Sequence, residues 1–130
     1  MAAKKRILII DDTTDITDSL KVYLERIGSY EVRIAHDGAA GLAAVKEFRP
    51  DLILLDVVMP GMSGDQVAAA IEQDDTNKGI PLVFLTAAVT HREVASRGGT
   101  IGGRPFLSKL TGLKQIVEYI DTTLNPTSRG

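Results

Sequence analysis

Four short apolar runs that recur along the chain constrain its fold more than any other feature. They are ILII at 7–10, LILL at 52–55, PLVFL at 81–85 and PFL at 105–107. A fifth segment, YEVRIA at 30–35, alternates apolar and polar residues instead. Continuous apolar runs are typical of strands buried on both faces, whereas alternation is typical of a strand nearer a sheet edge. The sequence therefore predicts five short strands, the second of which lies nearer an edge.

Patterns of amphipathic helices lie between the predicted strands. The first covers 14–27 and places on one face Ile16, Leu20, Tyr23, Leu24 and Ile27. Gly28 follows it as a suitable C-cap. The second begins after Asp37, a favourable N-cap residue, and ends before Pro50. Further helical patterns cover about 65–74, 89–97 and about 111–124.

Repeated alternation of strand and helix predicts the fold class. Five repeats favour an α/β domain of doubly wound (βα)5 architecture, with a five-stranded parallel sheet between two layers of helices. Right-handed crossovers leave few topologies, of which the strand order 2-1-3-4-5 is the common one. A chain of 130 residues has the size of one domain, and we place its core at about 5–124 and a C-terminal tail at 125–130.

Composition and charge exclude several classes of protein. A net charge of −2 gives no electrostatic argument for nucleic-acid binding. The chain contains no cysteine, which removes disulfide scaffolds, thiolate metal sites and thiol catalysis. Its apolar runs are far shorter than the roughly 18 residues that a membrane span needs, and Asp11 interrupts the segment that would serve as a signal peptide. We therefore predict a cytoplasmic protein that binds neither nucleic acid nor membranes.

Acidic residues stand where two of the buried runs end. Asp11 and Asp12 follow the first predicted strand, and Asp56 follows the third. In a sheet of this order the ligand lies beyond the carboxyl ends of strands 1 and 3, so the three carboxylates converge on that crevice. Two carboxylates about 4 Å apart repel by roughly 4 kcal/mol at a surface-like dielectric, so the group needs a shared proton or a cation. Oxygen ligands without His or Cys favour Mg²⁺.

Two more strand ends add complementary groups to this crevice. Thr86 ends the fourth strand and offers a hydroxyl, and Lys109 ends the fifth and offers an ammonium. Together with a metal they favour binding of a highly charged anion such as a phosphoryl group, and a carboxylate can act as the nucleophile to give an aspartyl phosphate. Taken singly, each residue also suits a helix cap, a turn or a solvated strand end. Their joint position at four strand ends predicts a functional site.

With these residues in place, the chain resembles the receiver domain of bacterial two-component response regulators. The similar blocks are LIIDDTTD, LLDVVMPGMSG, LVFLTA and PFLSK, and the resemblance covers about 5–124. It implies a flavodoxin-like fold and a signalling domain rather than an enzyme. Such a domain takes its phosphoryl group from a phosphohistidine on a histidine kinase or phosphotransfer protein, and then changes which protein partner it binds. The kinase, the pathway, the target and the full extent of the regulator stay open.

The resemblance also implies the residues that bind metal and phosphate. Asp56 is the expected phosphoacceptor. Asp12, Asp56 and the backbone carbonyl of Val58 are expected to hold Mg²⁺, with Asp11 helping through water. Lys109 is expected to contact the phosphoryl group.

A conformational switch is implied as well. Thr86 is expected to contact the phosphoryl group too. Phe106 matches the position whose aromatic ring turns inward together with Thr86 on activation. An ordinary core phenylalanine is the alternative interpretation of Phe106.

Leu110 departs from the usual receiver sequence, which has proline after the lysine, often with a cis bond. A cis bond before a non-proline residue costs about 2.5–4 kcal/mol. Either the Lys109–Leu110 bond is trans and the lysine is re-aimed, or strain is retained there. This residue keeps open a second function, a degenerate interaction module of the same fold that phosphate does not regulate. An enzyme is disfavoured because no phosphate-binding glycine motif follows the first strand.

Two other departures concern signalling and its duration. GGTIGG at 98–103 has four glycines in six residues and predicts a mobile loop, longer and softer than expected before the last strand. Val58 and Ala88, two residues beyond Asp56 and Thr86, carry no polar group to orient an attacking water. We therefore predict slow self-dephosphorylation. Comparing phosphoryl decay with that of Val58→Asn tests this, and wild-type decay no slower than the variant's contradicts it.

Overall fold

The computed structural model describes residues 4–13, 15–27, 29–57, 59, 61–77, 79–86, 100–101, 104–109 and 112–125. The strands are β1 (Lys5–Ile10), β2 (Tyr30–Ala35), β3 (Leu52–Asp56), β4 (Leu82–Thr86), β5 (Thr100–Ile101) and β6 (Arg104–Ser108). The helices are α1 (Asp15–Ile27), α2 (Gly38–Phe48), α3 (Gly64–Gln73) and α4 (Leu113–Leu124), with a 3-10 turn at Asp75–Asn77.

The strands form one sheet in the order β2-β1-β3-β4-β6-β5. All pairs from β2 to β6 are parallel. The predicted order 2-1-3-4-5 is confirmed, with the predicted fifth strand appearing as β6. Ile10 of β1 pairs with both Ala35 of β2 and Leu55 of β3, so the carboxyl ends of these strands finish side by side.

The last edge of the sheet differs from the prediction. Thr100 and Ile101, at the centre of the segment predicted as a mobile loop, form β5 and pair antiparallel with Pro105 and Arg104. Both residues are β-branched, and such side chains suit the pleated surface of a strand. The parallel five-stranded sheet is therefore extended by a two-residue antiparallel strand. The glycines of this segment and the predicted helix over 89–97 lie outside the described residues.

Two apolar layers pack against the sheet, one on each face. Along β1, Leu8 and Ile10 join the layer beneath α2 and α3, whereas Ile7 and Ile9 join the layer beneath α1 and α4. All four side chains are fully buried. The strand reads as a continuous apolar run because neither of its faces meets water.

Helix α1 is less buried than its sequence predicts. Leu20 and Leu24 are fully buried against the sheet, but Tyr23 is 45% exposed and Ile27 is 48% exposed. The apolar stripe of α1 is therefore wider than the surface that the sheet covers.

Side-chain caps fix where α2 and α3 begin. Asp37 accepts a hydrogen bond from the backbone N–H of Ala40 at 2.7 Å, as expected of an N-cap. Helix α3 starts at Gly64 because Ser63 forms a capping box with Gln66, each side chain accepting from the other's backbone N–H. This cap places the start of α3 next to the end of β3. The predicted C-cap Gly28 lies outside the part of the chain that the structure describes.

Candidate functional site

Three carboxylates meet at the carboxyl edge of the sheet. Asp11 and Asp12 follow β1, and Asp56 is the last residue of β3. One carboxylate oxygen from each lies within 4.8 Å of the other two. Asp11 is fully buried and Asp56 is 6% exposed, whereas Asp12 is exposed. The structure thus brings together the three acids that the sequence placed at neighbouring strand ends.

Backbone pairing holds Asp11 and Asp56 at this edge. The N–H of Asp11 donates to the carbonyl of Ala35 at 2.9 Å, which continues the β1–β2 ladder one residue beyond the strand. Asp56 lies opposite Leu85 of β4 in a regular parallel register. Because both acids belong to or directly extend central strands, the sheet itself fixes their positions.

Gly64 allows helix α3 to approach the carboxyl end of β3 closely. Its N–H donates to the carbonyl of Val57 at 2.9 Å. A Cβ at this position would lie 2.4 Å from the carbonyl oxygen of Asp56 and 2.8 Å from the Cα of Val57. Only glycine fits without moving the backbone beside Asp56, a requirement that the sequence signalled only by a glycine before a helical pattern.

Lys109 points into the crevice. Its Nζ lies 2.5 Å from Oδ2 of Asp11 and 3.6 Å from Oδ2 of Asp56, and its side chain is 10% exposed. At this depth the ion pairs are only weakly screened by salt. The alternative in which Leu110 re-aims the lysine away from the acids therefore does not describe this structure. Leu110 itself, and with it the geometry of the Lys109–Leu110 bond, lies outside the described residues.

Thr13 is a contact of the site that the sequence prediction missed. Its backbone N–H and its hydroxyl both donate to Oδ1 of Asp11, at 3.0 Å and 2.8 Å. An aspartate followed two residues later by threonine is a frequent turn pattern, and this was the available signal for Thr13.

His36 also lies beside Asp11. Its imidazole Nδ1 is 3.3 Å from the backbone carbonyl oxygen of Asp11.

The donor set fits a hard divalent cation such as Mg²⁺. Oδ2 of Asp11 is buried, and its partner among the described residues is the ammonium of Lys109 at 2.5 Å. With all groups ionised, three carboxylates around one ammonium leave an excess of negative charge. Carboxylate oxygens, with neither histidine nor cysteine among the clustered groups, are the ligands that Mg²⁺ prefers.

The structure describes the other predicted site residues to different extents, some with their side chains and some without. Thr86 ends β4 and pairs with Ser108 of β6, so its backbone lies at the same edge of the sheet. Its side chain, together with Val58 and Ala88, lies outside what the structure describes. Phe106 pairs with Phe84 and is 2% exposed within the layer beneath α2 and α3. In this structure Phe106 is a core residue.

The fold and the acidic crevice agree with comparisons to known proteins. Residues 7–121 match the family model of the response regulator receiver domain, and the chain belongs to this family. Receiver domains are signalling domains of two-component systems that take phosphate from histidine kinases. This family generally binds Mg²⁺ in an acidic pocket.

Several relatives of known sequence are longer than this chain. The DNA-binding response regulator MtrA of Mycobacterium tuberculosis is 39% identical over 121 residues, which are 93% of this chain and 51% of MtrA. The phosphate regulon transcriptional regulatory protein PhoB of Pseudomonas aeruginosa is 32% identical over 126 residues, which are 97% of this chain and 54% of PhoB. The chain therefore spans about half the length of these relatives.

Solved structures share the fold over nearly their whole length. A CheY-like receiver domain protein from Methanospirillum hungatei is 30% identical, with a TM-score of 0.78 and coverage of 98% of each chain. The chemotaxis protein CheY4 of Vibrio cholerae is 28% identical, with a TM-score of 0.76 over 92% of this chain and 98% of its own. Among the residues described for the present chain, no helix is long and apolar enough to cross a membrane.

Proposed function

We propose that this receiver domain accepts a phosphoryl group on Asp56 from a phosphohistidine of a histidine kinase or phosphotransfer protein, with Mg²⁺ as cofactor. Phosphorylation then changes which protein partner the domain binds. The observation that carries the proposal is the convergence of Asp11, Asp12 and Asp56 within 4.8 Å, with the ammonium of Lys109 beside them.

The contacts of the two buried acids favour Asp56 as the nucleophile. Asp11 is fully buried, with one oxygen engaged by Thr13 and the other in the closer ion pair with Lys109. Asp56 retains some access to solvent and lies farther from the ammonium. In the proposed step a carboxylate oxygen of Asp56 forms a bond to phosphorus while the P–N bond of the phosphohistidine breaks. The imidazole leaves with the electron pair of that bond and takes up a proton.

The neighbouring groups would balance the charge of the transferred group. Asp12, Asp56 and the carbonyl of Val58 would hold Mg²⁺, with Asp11 acting through water. When bound, the ion supplies positive charge next to the phosphoryl oxygens. Lys109, already in the crevice, would exchange part of its contact with the carboxylates for a phosphoryl oxygen.

The proposed switch connects Thr86 to Phe106. The hydroxyl of Thr86 would turn toward the phosphoryl group. Thr86 pairs with Ser108, and Phe106 lies two residues earlier on the same strand, which supports coupling between the two positions. Because Phe106 is buried in this structure, activation would repack the ring within the core instead of drawing it in from solvent.

Incubation with Mg²⁺ and acetyl phosphate tests the proposal. Mass spectrometry should show the added mass of one phosphoryl group on the wild type and on Asp18→Asn, whose exposed carboxylate lies on α1. Asp56→Asn should stay unmodified. Equal modification of Asp56→Asn would refute the assigned acceptor. No modification of the wild type would instead favour the degenerate interaction module, for which Leu110 is the sequence argument.

A further inference from the structure

Thr13 contacts two charged groups of the crevice with one hydroxyl. The hydroxyl donates to Oδ1 of Asp11 at 2.8 Å and accepts from Nζ of Lys109 at 3.4 Å. A hydroxyl has one donor and two acceptor lone pairs, so it can make both contacts at once. Thr13 therefore connects the buried carboxylate to the lysine that neutralises it.

The two hydrogen bonds from Thr13 fix the orientation of the Asp11 carboxylate. The backbone N–H and the hydroxyl both donate to Oδ1, so rotating the carboxylate would break both bonds. With Oδ1 held in this way, Oδ2 is directed toward Lys109. The ammonium lies 2.5 Å from this buried oxygen.

The position of Thr13 is itself anchored. Its backbone carbonyl accepts a hydrogen bond from the hydroxyl of Thr17 at 2.9 Å, and Thr17 is fully buried in the first half of α1. The turn between β1 and α1 is thereby attached to the core. The side chain of Thr13 is exposed, so its contacts with the crevice do not depend on packing in the interior.

We propose that Thr13 is a positioning residue of the site, whose hydroxyl sets the affinity for the divalent cation and the location of the Lys109 ammonium. It acts through Asp11, whose orientation it fixes, and through Lys109, to which it offers a neutral acceptor that remains when a cation or phosphoryl group engages the carboxylates. The inference concerns the same crevice as the proposed function and rests on it for the role of the cation in phosphoryl uptake.

The chain contains a matched control for this turn. Thr76 donates its backbone N–H and its hydroxyl to one oxygen of Asp74, at 3.0 Å and 2.7 Å. Both residues lie on the surface, between α3 and β4. Thr76→Val removes the equivalent hydroxyl contact, keeps the backbone N–H contact and leaves the crevice unchanged.

Calorimetric titration with Mg²⁺ alone, without a phosphodonor, tests the proposal. Thr13→Val removes the hydroxyl and keeps the volume. It should weaken Mg²⁺ binding about tenfold, because Thr13 orients the Asp11 carboxylate that would hold a water of the cation. Thr13→Ser keeps the hydroxyl and should remain within about twofold of the wild type. Thr76→Val should bind Mg²⁺ as the wild type does. Thermal unfolding without Mg²⁺ checks that the variants fold, and Thr13→Ala provides the same deletion should Thr13→Val fold poorly.

The outcomes separate this inference from the proposed function. Wild-type affinity for Mg²⁺ in a folded variant that lacks the hydroxyl, or equal losses in Thr13→Val and Thr13→Ser, would overturn the role of Thr13. If the affinities change as expected but acetyl phosphate does not modify the wild type, the positioning role stands and phosphoryl acceptance fails. A wild-type chain that binds no Mg²⁺ overturns both.

Discussion

Buried polar groups have different kinds of partner at the two ends of the sheet. At the carboxyl end, three carboxylates cluster beside the ammonium of Lys109, which lies 2.5 Å from Oδ2 of Asp11 and 3.6 Å from Oδ2 of Asp56. At the amino end, the hydroxyl of Tyr30 donates to Asp121 at 3.2 Å, and the amide of Asn125 donates to Asp121 at 3.1 Å. These three side chains join the start of β2 to α4. Groups whose partners balance them within the chain stabilise the fold, whereas carboxylates that outnumber a neighbouring ammonium mark a place where a cation is expected.

Removing the lysine from the carboxyl end should have the largest effect on stability. Lys109→Met leaves the buried carboxylates without their ammonium, which should lower the free energy of unfolding by about 3 kcal/mol in the absence of metal. Mg²⁺ should restore part of this loss, because a cation supplies the missing charge. Urea unfolding with and without Mg²⁺ measures both effects.

An exposed ion pair provides the control for this prediction. Lys21 contacts Glu25 at 3.0 Å on the surface of α1, and Lys21→Met should cost only about 0.3–0.5 kcal/mol. The stability of Lys21→Met should depend on Mg²⁺ no more than that of the wild type does. If Lys109→Met lost no more stability than Lys21→Met, the contrast between a charged crevice and an ordinary surface pair would be wrong.

Adding a methyl group at Gly64 should have an intermediate effect. The Cβ of Gly64→Ala would clash with backbone atoms of Asp56 and Val57, which cannot move independently of β3. We expect a loss of about 2 kcal/mol, within the range for overpacked sites, and slower phosphorylation of Asp56 by acetyl phosphate. Chemical unfolding and intact mass measure the two effects, with the exposed neighbour Asp65→Ala as control. Unchanged phosphorylation in a destabilised Gly64→Ala would show that α3 supports the fold without aligning Asp56.

A change at the amino end should have a smaller effect and leave the site untouched. Tyr30→Phe removes one hydroxyl from the cluster with Asp121 and Asn125 and should cost about 1 kcal/mol. Mg²⁺ affinity should equal that of the wild type. Altered Mg²⁺ affinity would mean that the two ends of the sheet are coupled.

The pH dependence of stability gives a further test of the amino end. Burial, and then the charge of Asp121, raise the pKa of Tyr30 from its ordinary value of 10.0 to about 12. The folded state therefore holds this proton more tightly than the unfolded chain does. The corresponding stability is complete below about pH 10 and is lost as the pH rises toward 12. Thermal unfolding between pH 10 and 12 should show a smaller loss of stability for Tyr30→Phe than for the wild type. Equal losses in the two proteins would exclude Tyr30 as the cause.

Much of the fold follows from the sequence because its signals are local. Continuous apolar runs identified the buried strands, and the handedness of crossovers limited their order. Those two inferences together predicted that Asp11, Asp12 and Asp56 would meet. Their meeting required no knowledge of side-chain orientation, since the carboxyl ends of parallel strands lie at one edge.

Other features depend on contacts that a pattern cannot report. Strand β5 forms because Thr100 and Ile101 pair with β6. The sequence gives no local signal of this tertiary contact, since the surrounding glycines are typical of a loop. Tyr23 and Ile27 fit an apolar helical stripe, but only the width of the sheet decides that they remain partly exposed. The role of Thr13 depends on a rotamer that directs its hydroxyl to Asp11. Periodicity in the sequence indicates which residues are apolar. Strand pairing, exposure and side-chain orientation depend instead on which other residues each one contacts in the folded chain.

The short strand β5 also affects how the sheet can associate with other chains. An edge strand exposes unpaired backbone groups that can template pairing with another molecule. Within the described residues, the edge at β5 is only two residues long, too short to form an extended intermolecular ladder. The opposite edge, β2, is six residues long but presents the charged side chains of Glu31 and Arg33 to solvent. One edge is thus protected by its length and the other by its charge, and both disfavour edge-to-edge aggregation.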